Sequence, residues 1–282
     1  MGELSGIPNP IYIAIDGPRG EGDLESIAEI LSVIEVSDLN IVGVRKNTFN
    51  EGTFNVAKAI DWVFEENQEL IIIEEDVLVS KEFIYFAEMM LMRYEFNTRI
   101  GSISAMNSVP RSRISKPDLP YRFSCYFYAW GWATWKSRWD EMIPVSDWKI
   151  DDLTFPRTAK SVLVKNKWKA RFRDVEQGRA PGLWDYHWIY TYWMKRWLTI
   201  IPNVNLSLNI GFDVLATHTK VRPNWAPLSL GNLAKKRLEI ESPIRQDIRA
   251  DLWSAKEIHN SSSITILKTI LKSRLQAWGL IS

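Results

Sequence analysis

Three adjacent carboxylates, Glu74, Glu75 and Asp76, directly follow the apolar run Leu70–Ile73. Neighbouring carboxylates repel one another, and a bound divalent cation relieves this repulsion because it takes oxygen ligands. The pattern therefore indicates one of two things. It is either a metal site at the end of a buried strand, or a solvated turn before the next helix, with Ser80 as the N-cap of that helix.

A further acid, Asp185, lies beside Trp184 and close to His187. It opens a helical pattern, where an Asp usually caps the helix, but a carboxylate near a reacting hydroxyl can also serve as a general base. His218 lies in the polar segment 203–219. A single histidine of this kind is either a structural side chain or a ligand.

Tryptophan is unevenly distributed, since ten of the fourteen lie between residues 130 and 197. Flat rings either form a core or stack on sugars and nucleobases beside a cleft, and the segment 123–139 is compatible with both. Gly131, between Trp130 and Trp132, indicates a close approach of the backbone. The basic, proline-rich segment 108–122 is either a solvated loop or a loop that meets an anionic ligand.

Alternating strands and helices would position these residues. Short apolar runs at 11–15, 41–44, 70–73 and 100–104 predict strands, and helical periodicity predicts helices at 24–33, 54–64 and 83–94. This order predicts an α/β fold with a doubly wound, mostly parallel sheet. Ligands of such sheets bind beyond the carboxyl ends of the strands, which is where Asp16, Arg45, the acidic run and Asn107 lie.

The second half of the chain is less regular. A buried strand pair is one interpretation of 123–139, while 184–196 predicts a helix and 199–201 a strand. The tail 263–282 has the pattern of an amphipathic helix with basic residues on its polar face. Such a helix either packs against the protein or anchors it at a membrane surface that carries anionic lipid.

The composition excludes several classes of protein. A net charge of +1 gives no reason to expect a nucleic-acid partner, and the single Cys125 can form neither an internal disulfide nor a cysteine metal cluster. The sequence has no spanning apolar stretch and no secretory signal at its N-terminus. We therefore expect a cytoplasmic protein, peripheral on the inner face of the membrane if the tail is an anchor.

The segment IIIEEDVLVSKEFIYFAEMML resembles the metal-binding segment of GT-A fold glycosyltransferases, particularly the N-acetylglucosaminyltransferase I type and its bacterial relatives. The segments SKPDLPYR, GWATW, WDYHW and PNVNLSLNIGF with ATHT occur in the same order in those relatives. The resemblance covers about residues 10–220. It implies a GT-A (Rossmann-like) sheet with flanking helices, and a C-terminal amphipathic helix follows from the pattern of the tail.

The same resemblance implies how the chain is divided. A GT-A domain would span 1–230, with a nucleotide-sugar half at about 10–107 and an acceptor half at about 108–230, followed by a helical extension at 231–282. In the family a further strand and helix precede the strand that corresponds to 11–15. We therefore expect either a sheet that lacks the first family strand or a chain that begins late.

The resemblance also assigns roles to residues. Asp76 would hold Mn²⁺ or Mg²⁺ on the diphosphate of a nucleotide-sugar, with His218 as a further ligand, and Asp185 would be the catalytic base. The residues expected to bind the nucleotide-sugar are Asp16, Arg45, Glu74, Glu75 and Asn107. The residues expected to shape the acceptor pocket are Trp132, Trp135, Trp184 and His187. The family more often has Asp at the position of Glu75, so this residue departs from the pattern.

These features predict a metal-dependent, inverting glycosyltransferase that moves a sugar from a nucleotide donor, with UDP favoured, to a hydroxyl of a glycan or lipid-linked acceptor. An alternative is a non-catalytic sugar-binding or scaffold protein of the same fold, with an incomplete nucleotide site. A third interpretation is a nucleotidyltransferase that makes nucleotide-sugars. It ranks lower because the chain lacks a glycine-rich phosphate loop near its N-terminus.

Overall fold

The computed structural model describes residues 9–159, 161–179, 184–212 and 221–259, and within these ranges the chain is mixed α/β. The elements follow one another in this order: β1 (Ile11–Ile15), α1 (Gly22–Glu35), β2 (Ile41–Lys46), α2 (Thr53–Phe64), β3 (Glu69–Ile72), β4 (Val77–Val79), α3 (Lys81–Tyr94), β5 (Ile100–Ser104), β6 (Tyr121–Ser124), β7 (Trp132–Trp135), α4 (Lys136–Trp139), α5 (Val162–Glu176), α6 (Trp184–Lys195), β8 (Leu198–Pro202), β9 (Ser207–Asn209) and α7 (Ile248–Glu257). His218 and the predicted tail helix 263–282 lie outside the described residues.

The elements predicted in the first hundred residues are all confirmed, with ends that differ by a few residues. Helix α3 shows why the periodicity was sufficient, because Phe83, Ala87, Met90 and Leu91 recur three or four apart and are all buried. Ser80 does occupy the N-cap position of α3, but its side chain makes no capping hydrogen bond. The three-residue strand β4 was not predicted, since it is too short to show a period.

The central sheet has five strands in the order β3-β7-β5-β8-β6. Three of its four adjacent strand pairs are antiparallel, and only β5–β8 is parallel. The prediction of a mostly parallel sheet is therefore wrong for the central sheet. Strands β3, β5 and β8 each follow a helix or its connecting turn and do share one direction. The difference arises from β6 and β7, which run the opposite way and separate or flank those strands.

Two smaller sheets complete the described β-structure. Strands β1 and β2 form a parallel pair, and β4 and β9 form an antiparallel pair. In the described part of the chain neither β1 nor β2 pairs with the central sheet, although α2 packs on both β1 and β3. The unit that contains Asp16 and Arg45 is therefore joined to the rest through helix packing rather than through a continuous strand ladder.

The tryptophan-rich middle of the chain is mainly core. Nine of the ten tryptophans between residues 130 and 197 are buried, and Trp130 is the exception. Eight of these nine rings contact one another and nearby Phe and Tyr rings in one cluster between α5, α6 and β7, while Trp135 lies in the cluster of the central strands. Removing one such buried ring costs about 3–5 kcal/mol, so the free energy of unfolding depends strongly on this cluster.

The described part of the predicted C-terminal extension shares this fold's core. Leu233 and Leu238 are buried in the same cluster as the central strands. Asp251 of α7 is 1 % exposed and accepts hydrogen bonds from Ser124 Oγ (2.6 Å) and from the backbone N–H of Cys125 (2.9 Å). Residues 231–259 therefore pack on the edge of β6 as part of the domain. No helix among the described residues has the length and apolar composition needed to cross a membrane.

The close approach of the backbone predicted at Gly131 is confirmed, and this residue also has a positive φ. Its φ is +75°, and an added Cβ would lie 2.8 Å from Val79 Cγ1 and 3.1 Å from Ala105 Cβ. Gly178 has a similar φ of +67° but no atom within 4 Å of an added Cβ. A substitution at Gly178 would therefore cause backbone strain alone, whereas one at Gly131 would cause both backbone strain and overpacking.

We expect Gly178→Ala to lower the free energy of unfolding by about 1 kcal/mol, from backbone strain alone. Gly131→Ala should cost about 1–3 kcal/mol more, because the methyl group also overpacks the junction of β4 and β5. Urea unfolding of both variants measures the difference. Equal losses would mean that the chain relaxes around residue 131 without cost.

Candidate functional site

Asp76 is positioned by the pairing of β4 with β9. Val77 lies opposite Asn209 in this ladder, which brings the Asn209 side chain beside the preceding residue, Asp76. Asn209 Nδ2 donates to Asp76 Oδ2 (2.8 Å), and Asn209 Oδ1 accepts from the backbone N–H of Gly211 (2.9 Å). The second carboxylate oxygen, Oδ1, is buried without a hydrogen-bond partner. Asp76 is therefore fixed by one oxygen and leaves the other unsatisfied, which is costly unless a ligand completes it.

Gly211 is closely packed against this carboxylate. An added Cβ would lie 2.8 Å from Asp76 Cβ and closer still to Oδ2. Any larger residue would therefore displace either Asp76 or the chain that follows β9. The absence of a side chain at position 211 allows the Asn209–Asp76 contact to form.

Asp185 is brought to the same place by ring stacking. Trp132 lies opposite Ile72, the last residue of β3, in the β3–β7 ladder. Trp184 stacks on Trp132 with ring centroids 5.5 Å apart and an interplanar angle of 15°. Because Asp185 is the next residue, the start of α6 lies beside the carboxyl end of β3, where the acidic run begins.

The carboxylates interact electrostatically. Burial, and then the charges of Asp76, Glu75 and Asp185, raise the pKa of Glu74 to about 8. A carboxyl group with this pKa is largely protonated at neutral pH, which relieves part of the repulsion. Glu75 itself is exposed at the turn. The structure thus groups the acidic run with Asp185, although the two lie far apart in the sequence.

The residues present can be tested against the divalent cation that the resemblance implies. No group of three or more His, Cys, Asp or Glu side chains in the described ranges is arranged to hold a metal by itself. Mg²⁺-like ions on phosphates, however, use only one or two carboxylates and take the remaining ligands from phosphate and water. The unpartnered Oδ1 of Asp76 fits that need.

Asp16 lies at the end of β1, as expected, but its carboxylate is occupied. It accepts hydrogen bonds from the backbone N–H groups of Gly17 (2.9 Å), Glu51 (2.9 Å) and Gly52 (2.8 Å) and from Asn47 Nδ2 (3.2 Å). Partial burial raises the pKa of Asp16, but these hydrogen bonds outweigh burial and lower it. A carboxylate has about four acceptor positions, so contact with a nucleotide would require displacement of one of these donors.

Arg45 and Asn107 also make contacts within the protein. Arg45 lies 3.9 Å from Glu51, in the same loop that Asp16 holds. Asn107 Oδ1 accepts from Arg122 Nη2 (2.9 Å) and from the backbone N–H of Val109 (3.0 Å). No described hydrogen bond or ion pair joins Asp16, Arg45 or Asn107 to the acidic group, so their predicted contacts with a nucleotide-sugar stay predictions.

Three of the four residues predicted to shape the acceptor pocket are buried, and the predicted contact with an acceptor requires correction for them. Trp132 is 0 % exposed and Trp135 is 3 % exposed, so both rings are core and neither can contact an acceptor. Trp135 also lies opposite Glu69, at the end of β3 away from the acids. Trp184 is buried as well and acts through its stacking on Trp132. His187 is partly exposed and contacts the Trp148 ring edge-on at 5.4 Å.

A partly exposed aromatic pair lies next to the acids and was not assigned a role from the sequence. Trp130 stacks on Trp225 with centroids 5.3 Å apart, and Phe212 contacts Trp130 edge-on. Arg222 lies over the Phe212 ring and donates to the backbone carbonyl of Asn209 (3.2 Å). Phe212 is the last residue of the segment PNVNLSLNIGF, which is among the segments that carry the resemblance. Trp225 lies outside the tryptophan-rich segment, and no sequence pattern predicted its contact with Trp130.

No protein-family model matches the sequence, and a search of curated proteins finds no significant similarity.

We expect the Glu74→Gln variant to gain stability over the wild-type protein as the pH rises. The folded state raises the pKa of Glu74, so the stability that its protonated form contributes is present below about pH 4.5 and is lost as the pH approaches 8. Gln mimics the protonated form at every pH. In metal-free buffer with chelator, the difference in unfolding free energy should grow by roughly 2–4 kcal/mol across this range.

Urea unfolding at about pH 5 and about pH 8 measures the effect. Glu66→Gln, which changes an exposed acid after α2, serves as the matched control and should give the same difference at both values. A difference for Glu74→Gln that does not depend on pH would show that the neighbouring carboxylates do not repel Glu74.

Proposed function

We propose that this chain is a metal-dependent, inverting glycosyltransferase of the GT-A type, which moves a sugar from a UDP-sugar to a hydroxyl of a glycan or lipid-linked acceptor. The observation that carries the proposal is the grouping of Asp185 with the acidic run 74–76. Burying like charges together lowers stability, so a structural role alone gives no reason for the arrangement. A metal-dependent, inverting transfer of a sugar uses an acid-lined metal site and a separate base, and this group offers residues suited to both.

Asp76 is suited to the donor side of the reaction. A Mn²⁺ or Mg²⁺ ion bound with the nucleotide-sugar supplies Lewis-acid stabilisation of the leaving diphosphate. Asp76 would hold this ion through its unpartnered Oδ1, while the hydrogen bond from Asn209 keeps the carboxylate in one orientation. His218, outside the described residues, is proposed as a further ligand.

Asp185 is suited to the acceptor side. Its carboxylate would accept the proton of the acceptor hydroxyl as the hydroxyl oxygen forms a bond to the anomeric carbon. The bond from the anomeric carbon to the phosphate oxygen breaks in the same step, and the nucleoside diphosphate leaves with the electron pair. Attack from the face opposite the leaving group inverts the configuration. The stack of Trp184 on Trp132 would set the direction of Asp185.

The stacked rings of Trp130 and Trp225 offer a flat, partly exposed surface beside the acids. Sugar faces carry C–H groups that pack well on aromatic rings. These two rings are therefore a better candidate for the wall of the acceptor pocket than the buried Trp132 and Trp135.

A second candidate function is a non-catalytic sugar-binding or scaffold protein on the same fold. It is favoured by Asp16, whose carboxylate is taken up by the loop at 47–52 and is not free for a nucleotide. It is also favoured by the separate β1–β2 sheet. The two functions differ in one observable: only the enzyme consumes its donor.

We expect Mn²⁺ to raise the affinity of the wild-type protein for UDP by about tenfold or more, as measured by calorimetric titration with Mn²⁺ and with chelator. Asp76→Asn should lose this gain, because the neutral amide is a poor ligand for a hard cation. Asp140→Asn, which changes an exposed acid beside Lys136, is the control and should keep it. Equal UDP affinity with and without Mn²⁺ in the wild-type protein would exclude the proposed metal site.

We expect Asp185→Asn to bind UDP with Mn²⁺ as the wild-type protein does, within about twofold, and to release UDP from its UDP-sugar about 100-fold more slowly. UDP release across a panel of UDP-sugars, with glycan acceptors present, measures this rate. Unchanged release in Asp185→Asn would assign the base elsewhere. If the wild-type protein binds a UDP-sugar with metal but never consumes it, the binding-protein function holds instead.

A further inference from the structure

A cavity of about 820 Å³ lies along the outer edge of β6. One wall is the loop that contains Arg113 and Lys116, and the other is the segment 242–257, which includes α7. Asp247 joins the two walls, because its carboxylate accepts hydrogen bonds from Ser115 N (2.9 Å) and Ser115 Oγ (2.6 Å) and also caps α7. The cavity is therefore held open by fixed contacts, and it shares no residue with the acidic group.

The lining of the cavity is strongly basic although the chain is nearly neutral overall. Six basic side chains line it, against the two acids Asp247 and Glu257. Asp247 is used by Ser115 and by the cap of α7, and Glu257 pairs with Lys256 (2.8 Å). The other exposed cations form no ion pair with any carboxylate in the described part of the chain; they are Arg113, Lys116, Arg245 and Arg249.

The lining also contains a buried cation. Arg122 of β6 is 6 % exposed, and its Nε has no hydrogen-bond partner. Its other nitrogens donate to Asn107 Oδ1 (2.9 Å) and Asn203 Oδ1 (3.2 Å), which are neutral. No carboxylate accepts a hydrogen bond from Arg122, but the nearby charges of Asp251 and Asp247 offset part of its positive charge. Arg122 therefore adds less to the positive field of the cavity than the exposed cations do.

The cavity also has apolar walls, formed in part by Leu119, Leu252 and Trp253. Leu252 is 39 % exposed, so an apolar side chain lies in water beside the cations. A small inorganic anion would use the cations alone. A ligand that carries both a phosphate and an apolar part would use both kinds of surface.

We propose that this cavity binds the phosphate headgroup of an anionic lipid at a membrane surface. Guanidinium groups bind phosphate oxygens in pairs, and four cations without carboxylate partners suit a group with two negative charges. The position of the cavity favours a lipid as the source of the phosphate. The predicted amphipathic tail begins at residue 263, six residues after α7 ends, and six extended residues span at most about 20 Å. A membrane that the tail reaches would thus lie within reach of the cavity.

The test compares binding of the full chain to vesicles of phosphatidylcholine with phosphatidic acid and to vesicles of phosphatidylcholine alone, by co-sedimentation. We expect binding only to the former. The double variant Arg245→Gln with Arg249→Gln should bind about 30-fold more weakly, since two cations near the surface are lost. The pair Arg113→Gln with Lys116→Gln, on the opposite wall, should reproduce this loss, so that a folding defect in one pair cannot explain it.

The matched control is Lys149→Gln with Arg157→Gln, which removes the same charge from exposed positions outside the cavity and should bind like the wild-type protein. Asp76→Asn should also bind normally, which separates this proposal from the proposed enzyme. If both cavity pairs bind like the wild-type protein, the proposal is wrong and vesicle binding belongs to another part of the chain.

A second measurement identifies the source of the phosphate. Calorimetric titration with short-chain dihexanoyl phosphatidic acid below its micelle concentration should show saturable binding, about tenfold tighter than inorganic pyrophosphate, because the acyl chains add apolar contact. Equal or tighter binding of pyrophosphate would overturn the lipid headgroup as the ligand and assign a soluble phosphate compound to the cavity.

Discussion

Repulsion among like charges is the constraint on which the site depends. Glu74, Glu75, Asp76 and Asp185 lie close enough for the other three charges to raise the pKa of Glu74. In a flexible chain these carboxylates would move away from one another, and the repulsion would fall. Here the ladder of β4 with β9 holds Asp76, and the stack of tryptophans on β7 holds the start of α6. The stability of the surrounding structure therefore maintains a group of charges that is unfavourable without a cationic ligand.

Buried tryptophans pack beneath the acidic group and support it. Trp132 has no exposed surface, yet its place opposite the end of β3 and its contact with Trp184 determine where Asp185 lies. A rigid aromatic core is a good support for such a group, since large flat rings have few alternative packings. The partly exposed rings, Trp130 and Trp225, belong to a different layer, beside Asn209 and the loop that follows it. The buried rings that support the acidic group and the partly exposed rings are thus two separate sets.

The local part of this structure could be predicted from the sequence, and the non-local part could not. The elements of the first hundred residues follow from apolar periodicity, and the acidic run follows from composition at a strand end. Asn209 is 133 residues from Asp76, and only the β4–β9 register brings them together. A local sequence pattern also gives no sign that β7 lies between β3 and β5 and runs antiparallel to both. Burial of Trp132 and Trp135 was undecidable because a core ring and a cleft ring have the same sequence signature.

The strand order has a consequence for how the chain folds. Within the described structure, β3 pairs only with β7, and β5 pairs only with β7 and β8. During synthesis, neither strand can form a ladder until the ribosome has released the chain beyond residue 132. Until then the apolar strands β3 and β5 have no partner strand in the central sheet, and unpaired apolar strands favour aggregation. Formation of the acidic group at the end of β3 therefore depends on completion of the central sheet.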